Sequence, residues 1–106
     1  MTTIETKILS QFKQKVAAKL PLYKMILFGS RARGDAAPDS DMDVIVILDA
    51  IVDPMARDLI FDFSWEAGFE AGLVIAPVTF SREQWEQGPE RYSLLAQAVQ
   101  SEGVTL

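Results

Sequence analysis

Two aspartates separated by a single residue, Asp41 and Asp43, stand at the start of the apolar run 44–48. That run predicts a buried strand, and alternate residues of a strand point to the same face of its sheet. Two carboxylates side by side repel each other, and a shared divalent cation relieves that repulsion. Mg²⁺ binds to a few carboxylates and completes its octahedron with water and substrate phosphates. The pair therefore predicts a Mg²⁺ site.

A Gly-Ser turn precedes these aspartates and follows a shorter apolar run, residues 23–28. Gly29 has no Cβ, so its backbone can approach a ligand closely. If residues 31–34 form a helical turn, their N–H groups favour phosphate binding. The residues expected to bind phosphate or nucleotide are Gly29, Ser30, Arg31, Arg33 and Ser40. A phosphate-binding turn beside a Mg²⁺ pair suggests nucleoside triphosphate chemistry.

Each of these two motifs also has an ordinary structural explanation. A Gly-Ser dipeptide is usually only a turn, and an Asp-x-Asp at a strand entrance is usually only solvated. Their joint occurrence at this separation, with an apolar strand on each side, is much less common by chance.

The segment Gly29-Ser-Arg-Ala-Arg-Gly34, followed by Ser40-Asp-Met-Asp43, resembles the signature of the polymerase beta-like nucleotidyltransferases, and in so short a chain that of the minimal nucleotidyltransferases. The resemblance implies an α/β (α+β) fold, in which helices pack against a small mixed sheet. It implies Mg²⁺-dependent transfer of a nucleoside monophosphate from a triphosphate, with ATP expected, to a hydroxyl. Asp41 and Asp43 would be the catalytic metal ligands. It also implies a separate all-helical partner of the HEPN type in a toxin–antitoxin pair, with a tyrosine of that partner as one acceptor.

The sequence departs from this family at the third strand. Catalytic members carry a third carboxylate there, and the matching residue in this chain is Val74. Glu70 is a poor geometric substitute because it precedes the strand. Two hypotheses stay open: a working transferase, or a catalytically weakened nucleotide-binding or regulatory subunit.

Composition restricts the remaining possibilities. The chain has 106 residues, 49% of them hydrophobic and 24% charged, and we expect one globular domain spanning residues 1–106. The absence of cysteine and histidine excludes thiolate and imidazole chemistry. A net charge of −5 argues against strong direct binding of nucleic acid. Without an apolar run of membrane-spanning length or a leader-like start, we expect a cytoplasmic protein.

Apolar periodicity and capping signals predict the other elements. Helices are expected at residues 4–20, 54–72, 82–88 and 89–102, with Asp53 and Ser81 as N-caps. A third strand is expected at residues 72–80, with Pro77 favouring a place at the sheet edge. Residues 35–40 should form a loop. In the last helix, Leu94, Leu95, Ala98 and Val99 should be buried.

The second long helix carries a row of three aromatic residues, Phe61, Trp65 and Phe69, on the side away from its core-facing stripe. Acidic residues flank the row. Either a neighbouring helix covers these rings, or they form a surface for a partner or for a homodimer. The sequence leaves both alternatives open.

Overall fold

In residues 2–34, 40–89 and 93–106, which the computed structural model describes, a mixed four-stranded sheet has the order β3-β2-β1-β4. The strands are β1 (Leu22–Phe28), β2 (Met42–Leu48), β3 (Ile75–Ser81) and β4 (Val104–Thr105). The helices are α1 (Thr3–Lys19), α2 (Ser30–Arg33), α3 (Pro54–Gly68), α4 (Arg82–Gln87) and α5 (Leu94–Glu102). The loop expected at residues 35–40 lies outside the described residues except for Ser40.

Strand β2 is the inner strand on which the sheet is built. It pairs antiparallel with β1, with Phe28 opposite Asp43, and parallel with β3. A parallel pair needs a crossover, which here includes α3. The short β4 pairs antiparallel with β1 and was not expected from the sequence. The prediction of a small mixed sheet with packed helices is confirmed.

Both faces of β2 are buried, which explains its nearly uninterrupted apolar sequence. Met42, Val44, Val46 and Leu48 pack in a cluster with residues of α1 and α3, including Phe12. Ile45 and Ile47 face the other side, where Val99 of α5 packs against them. Since residues alternate, Asp43 belongs to this second face, together with Ile45 and Ile47.

The buried residues of helix α1 are mostly those that the apolar periodicity predicted. Ile8, Leu9, Phe12 and Val16 are buried, whereas Ile4 is exposed in the first turn. The Thr2 side chain caps the helix by accepting a hydrogen bond from the Glu5 N–H at 3.1 Å.

Helix α3 ends at Gly68, four residues earlier than the sequence predicted. After Gly68 the chain folds back, so that the backbone of Leu73 packs against the end of the helix. A Cβ on Gly68 would lie only 2.1 Å from the Leu73 carbonyl oxygen. Gly72 then adopts φ +68° in the turn. Strand β3 consequently starts at Ile75 rather than at residue 72.

The last helix begins at Leu94 and not at Pro89. Ser93 is its N-cap, and the Ser93 side chain accepts a hydrogen bond from the Ala96 N–H. Because the helix starts here, Leu94 lies in its first turn and is 84% exposed. The expectation that Leu94 is buried was therefore wrong. Val99 is buried as expected. Residues 90–92 lie outside the described part of the chain.

Pro77 lies on the edge strand, as predicted. The Val74 carbonyl accepts the Met42 N–H at 2.8 Å and therefore points toward β2. Because backbone polar groups alternate along a strand, residue 77 points away from β2, where no ladder hydrogen bond needs the missing N–H. Across the described ranges, no helix is long and apolar enough to cross a bilayer.

Candidate active site

Asp41 and Asp43 lie where the chain enters β2. Asp41 is exposed immediately before the strand, and Asp43 is half-buried within it. Burial raises the pKa of the Asp43 carboxyl above its ordinary value, and the charge of Asp41 raises it further. The contribution of Asp41 agrees with two carboxylates that repel each other, and their sharing of a metal ion stays a prediction.

The Gly29 turn contacts this carboxylate pair directly. Gly29 has φ +77°, and a Cβ built on it would lie 2.8 Å from Asp43 Oδ2. Glycine is therefore required twice, for its backbone conformation and for the space occupied by the carboxylate. The Gly29 carbonyl accepts the Arg33 N–H at 3.1 Å, so α2 begins directly after the turn, at Ser30. The Ser30 side chain is outside the described structure.

Arg31, expected to bind phosphate, is instead buried within the protein. Its Nη1 lies 3.4 Å from Glu5 Oε1, with both side chains less than a tenth exposed. Its Nε and Nη2 donate to the Ser40 carbonyl oxygen at 3.1 and 2.5 Å. These contacts hold the guanidinium among protein groups, and its binding of phosphate stays a prediction. Sequence reasoning missed Glu5, because an acidic residue in the first turn of a helix ordinarily has a local explanation.

Arg33 and Ser40 occupy the other two polar positions of the signature. Arg33 is exposed, and its Nη1 lies 2.9 Å from Glu102 Oε2 at the end of α5. An exposed ion pair of this kind contributes little stability, so an anionic ligand can compete for the arginine. Ser40 is half-buried and uses its carbonyl oxygen for Arg31. Their binding of phosphate stays a prediction.

The register of β2 and β3 revises the position at which a third carboxylate would face the pair. Ala76, and not Val74, is the β3 partner of Asp43. Val74 lies just before β3, next to the segment of Asp41, and is 45% exposed. Glu70 lies in the turn after α3, and its side chain is exposed. Within the described ranges, no group of three potential metal-ligating side chains is present.

The donor set fits a hard divalent cation. Two neighbouring carboxylates would supply oxygen ligands, and a cation would offset both the burial and the charge of Asp41 that raise the pKa of Asp43. The position is open to solvent on the side of Asp41. A cavity of about 510 Å³ lies elsewhere, lined by Ile51, Ser81 and Gln84 beyond the far ends of β2 and β3.

In the mixed sheet, a Gly-Ser turn follows one strand and an Asp-x-Asp pair stands at the start of the next, which is the arrangement that the sequence signature predicted. A family model described as "Nucleotidyltransferase domain" matches residues 9–95. The chain therefore belongs to the nucleotidyltransferase domain family and is an enzyme of that family. The family predicted from the signature is confirmed.

Two relatives from Methanocaldococcus jannaschii have names that assign them to the protein adenylyltransferases. One is 27% identical over 78 residues, which cover 72% of this chain and 79% of the relative. The other is 31% identical over 81 residues, covering 74% of this chain and 76% of the relative. The similarity therefore extends over most of each protein.

Several solved structures with a similar fold have titles that name toxin–antitoxin systems. A toxin–antitoxin crystallised with AMP-PNP aligns with TM-score 0.63 and 21% identity, over 95% of this chain and 70% of that one. A complex of the tri-AMPylated Shewanella oneidensis HEPN toxin with its MNT antitoxin aligns with TM-score 0.58 and 17% identity, over 97% and 71%. At these identities, the comparison shows a shared fold.

Proposed function

We propose that this protein is a Mg²⁺-dependent adenylyltransferase that transfers AMP from ATP to a hydroxyl group of a protein. The observation that carries the proposal is the position of the Asp43 carboxylate directly against the Gly29 turn, with Asp41 beside it. The turn would receive phosphate oxygens, and the aspartates would hold the metal. The names of the two archaeal relatives support protein as the acceptor and AMP as the transferred group.

The proposed reaction forms one bond and breaks one. The acceptor oxygen bonds to the α-phosphorus of ATP, the bond from that phosphorus to the bridging oxygen of the β-phosphate breaks, and pyrophosphate leaves. The hydroxyl proton passes to water. A bound Mg²⁺ would neutralise triphosphate charge and orient the α-phosphoryl group. Asp41 and Asp43 would hold the metal, and the Gly29 backbone leaves room for it and for phosphate at the strand end.

The decisive experiment uses ATP, GTP, CTP and UTP, each labelled at the α-phosphate, with a candidate acceptor protein and Mg²⁺. We expect label to transfer from ATP and the transfer to stop in Asp41→Asn and Asp43→Asn. Calorimetry with the same nucleotides measures binding separately from transfer. If wild type and the variant that combines Asp41→Asn with Asp43→Asn bind Mg–ATP equally well, the assignment of the metal site is wrong.

A second candidate function is supported by the residues at and just before the start of β3. Neither Val74 nor Ala76 supplies a third carboxylate, so the chain could bind Mg–ATP and regulate a partner without turnover. Binding with no label transfer to any acceptor would favour this function. A turnover rate in the ordinary enzyme range, roughly 1 to 1000 per second, would exclude it.

The proposed partner is a basic, all-helical protein of the HEPN type, and the candidate contact is the outer face of α3. Phe61, Trp65 and Phe69 are 56%, 53% and 73% exposed, so no helix of the described chain covers them. Exposed carboxylates flank this aromatic row, at Asp58, Asp62, Glu66 and Glu70. A homodimer through the same face would bring these like charges together, so charge favours a basic partner over a second copy.

The structural similarity to antitoxins in complexes with HEPN toxins supports this choice of partner. A tyrosine of the partner is then the proposed acceptor, and the cytoplasm, where ATP is abundant, is the proposed location. Light scattering of the chain alone tests for a homodimer, and light scattering of its mixture with a HEPN-type protein tests for a complex. We expect a monomer alone and a complex in the mixture. A stable homodimer that binds no helical protein would contradict the proposal.

A further inference from the structure

The buried side chain of Arg31 joins three separate parts of the protein. It lies on α2, contacts Glu5 in the first turn of α1, and donates two hydrogen bonds to the Ser40 carbonyl oxygen. Ser40 directly precedes Asp41. One guanidinium therefore connects α1, the helix after the Gly29 turn, and the residue at which the carboxylate pair begins.

The burial of this ion pair makes a purely stabilising role a poor explanation. The Arg31 and Glu5 side chains are 8% and 9% exposed, so both charges have lost most of their hydration. A buried ion pair is often no more stabilising than well-packed apolar side chains of the same volume, although removing one partner is costly. What the pair does provide is direction, because a planar guanidinium donates along fixed lines.

The direction of these hydrogen bonds matters for the neighbouring carboxylate. Both bonds end on the carbonyl of the peptide that joins Ser40 to Asp41, so they hold the plane of that peptide. After Asp41 the chain is held by the hydrogen bond from the Met42 N–H to the Val74 carbonyl oxygen, at 2.8 Å. The backbone is therefore held on both sides of Asp41, whose side chain is exposed to solvent.

We infer that Arg31 is a positioning residue, oriented by Glu5, which fixes the Ser40 carbonyl and thereby holds Asp41 beside Asp43 for metal binding. The inference rests on the proposed function and adds to it a role for an arginine that does not touch phosphate. Loss of such a supporting contact typically lowers metal affinity or activity by 10- to 100-fold.

Two conservative substitutions separate positioning from simple stabilisation. Arg31→Lys keeps a positive charge beside Glu5 but replaces the planar donor with a single ammonium. Glu5→Gln keeps an acceptor for Arg31 and leaves the donation to Ser40 possible. We expect Arg31→Lys to weaken Mg²⁺ binding in the presence of AMP-PNP by about 10- to 100-fold, and Glu5→Gln to weaken it less. Arg82→Lys, an exposed arginine near the far end of β2, is the matched control and should not change Mg²⁺ binding.

Two further measurements identify the cause of any loss. Amide hydrogen exchange of Met42 should be faster in Arg31→Lys than in wild type, because the segment loses the two hydrogen bonds from Arg31 to the Ser40 carbonyl oxygen. The affinity for AMP-PNP without divalent cation should be the same in Arg31→Lys and in wild type. If Arg31 contacted phosphate directly, the substitution would lower that affinity. Equal Mg²⁺ affinity in wild type and Arg31→Lys, with only a lower Tm, would overturn the inference. If wild type binds no Mg–AMP-PNP, the proposed function fails, and the Met42 exchange rates alone decide whether Arg31 orders this segment.

Discussion

Asp43 experiences two effects that favour its protonated form, partial burial and the neighbouring charge of Asp41. The Asp43 pKa is raised on folding, so the folded state binds the proton more tightly than the unfolded state does. This difference lowers stability as pH rises from the ordinary pKa of aspartate through the folded pKa. The full unfavourable effect is present above the folded pKa, and a divalent cation would offset it.

Asp43→Asn should therefore raise the Tm of the metal-free protein at pH 7 while removing Mg²⁺-dependent nucleotide binding. The rise in Tm reports the combined unfavourable effect of burial and of the charge of Asp41 on the ionised carboxyl. The gain should shrink as pH falls below the folded pKa and disappear below the ordinary pKa of aspartate. Differential scanning calorimetry with and without Mg²⁺ measures both effects.

Asp49→Asn is a matched control for this experiment. Asp49 is an exposed aspartate directly after β2, at the end opposite the carboxylate pair, with Arg82 3.9 Å away. Its replacement should leave Mg²⁺ dependence unchanged. The account of Asp43 is incorrect if both variants change the Tm of the metal-free protein equally.

Ala76 offers a direct test of the missing third carboxylate. Ala76→Asp places a carboxylate on the strand beside Asp43, at the spacing of about 4.8 Å between paired strands. We expect tighter Mg²⁺ binding, faster AMP transfer and a lower Tm without metal, because a third negative charge joins the site. Calorimetric titration and single-turnover transfer measure these changes.

Val74→Asp is the comparison variant, since its carboxylate would lie beside Asp41 and outside the paired strand. We expect a smaller gain in Mg²⁺ affinity than for Ala76→Asp. A larger gain at position 74 would show that the sequence alignment, and not the strand register, identifies the position of the third carboxylate.

At the level of elements, α3 has one face toward the sheet and one toward solvent. Ala56, Ile60, Ser64 and Ala67 are buried toward the sheet. Its outer side carries the aromatic row of Phe61, Trp65 and Phe69, in which the Phe61 and Trp65 rings meet edge to face at 6.5 Å. Rings exposed to this extent contribute little to the core, so their replacement is expected to affect a partner more than folding.

The triple variant Phe61→Ala, Trp65→Ala, Phe69→Ala should lose binding to a HEPN-type partner by at least 100-fold, since single buried aromatic anchors often contribute 2 kcal/mol or more. Its Mg–ATP affinity should equal that of wild type. Surface plasmon resonance measures the first and calorimetry the second. The double variant Ile51→Ala, Leu94→Ala removes apolar side chains of comparable exposure elsewhere and should bind the partner normally. Unchanged partner binding by the triple variant would assign the contact to another surface.

For the whole molecule, net charge and the acidic α3 face predict a salt-sensitive complex. The chain has a net charge of −5, and its exposed carboxylates would attract a basic partner. Salt screens this attraction, because the Debye length falls from about 10 Å at 0.1 M salt to about 3 Å at 1 M. We expect the association rate to fall at least tenfold over this range and the dissociation rate to change little. Stopped-flow measurement at several salt concentrations tests this expectation. An association rate independent of salt would argue against a basic partner.

The sequence by itself determined the parts of this protein that depend on neighbouring residues. The i, i+2 spacing placed Asp41 and Asp43 at a strand entrance, the glycine turn marked the end of β1, and apolar periodicity located α1, β2 and α3. Pro77 indicated the edge strand correctly. These features follow from local backbone geometry, which a short stretch of sequence encodes.

Only the tertiary structure decided which distant residues meet. Arg31 was expected at the ligand, and its burial against Glu5 depends on the docking of α1 beside α2. The partner of Asp43 is Ala76 because the early end of α3 at Gly68 sets where β3 begins, and a shift of strand register changes every cross-strand pair. Leu94 is exposed because Ser93, and not Pro89, starts the last helix. Contacts between distant segments depend on the ends and packing of whole elements, which local periodicity does not specify.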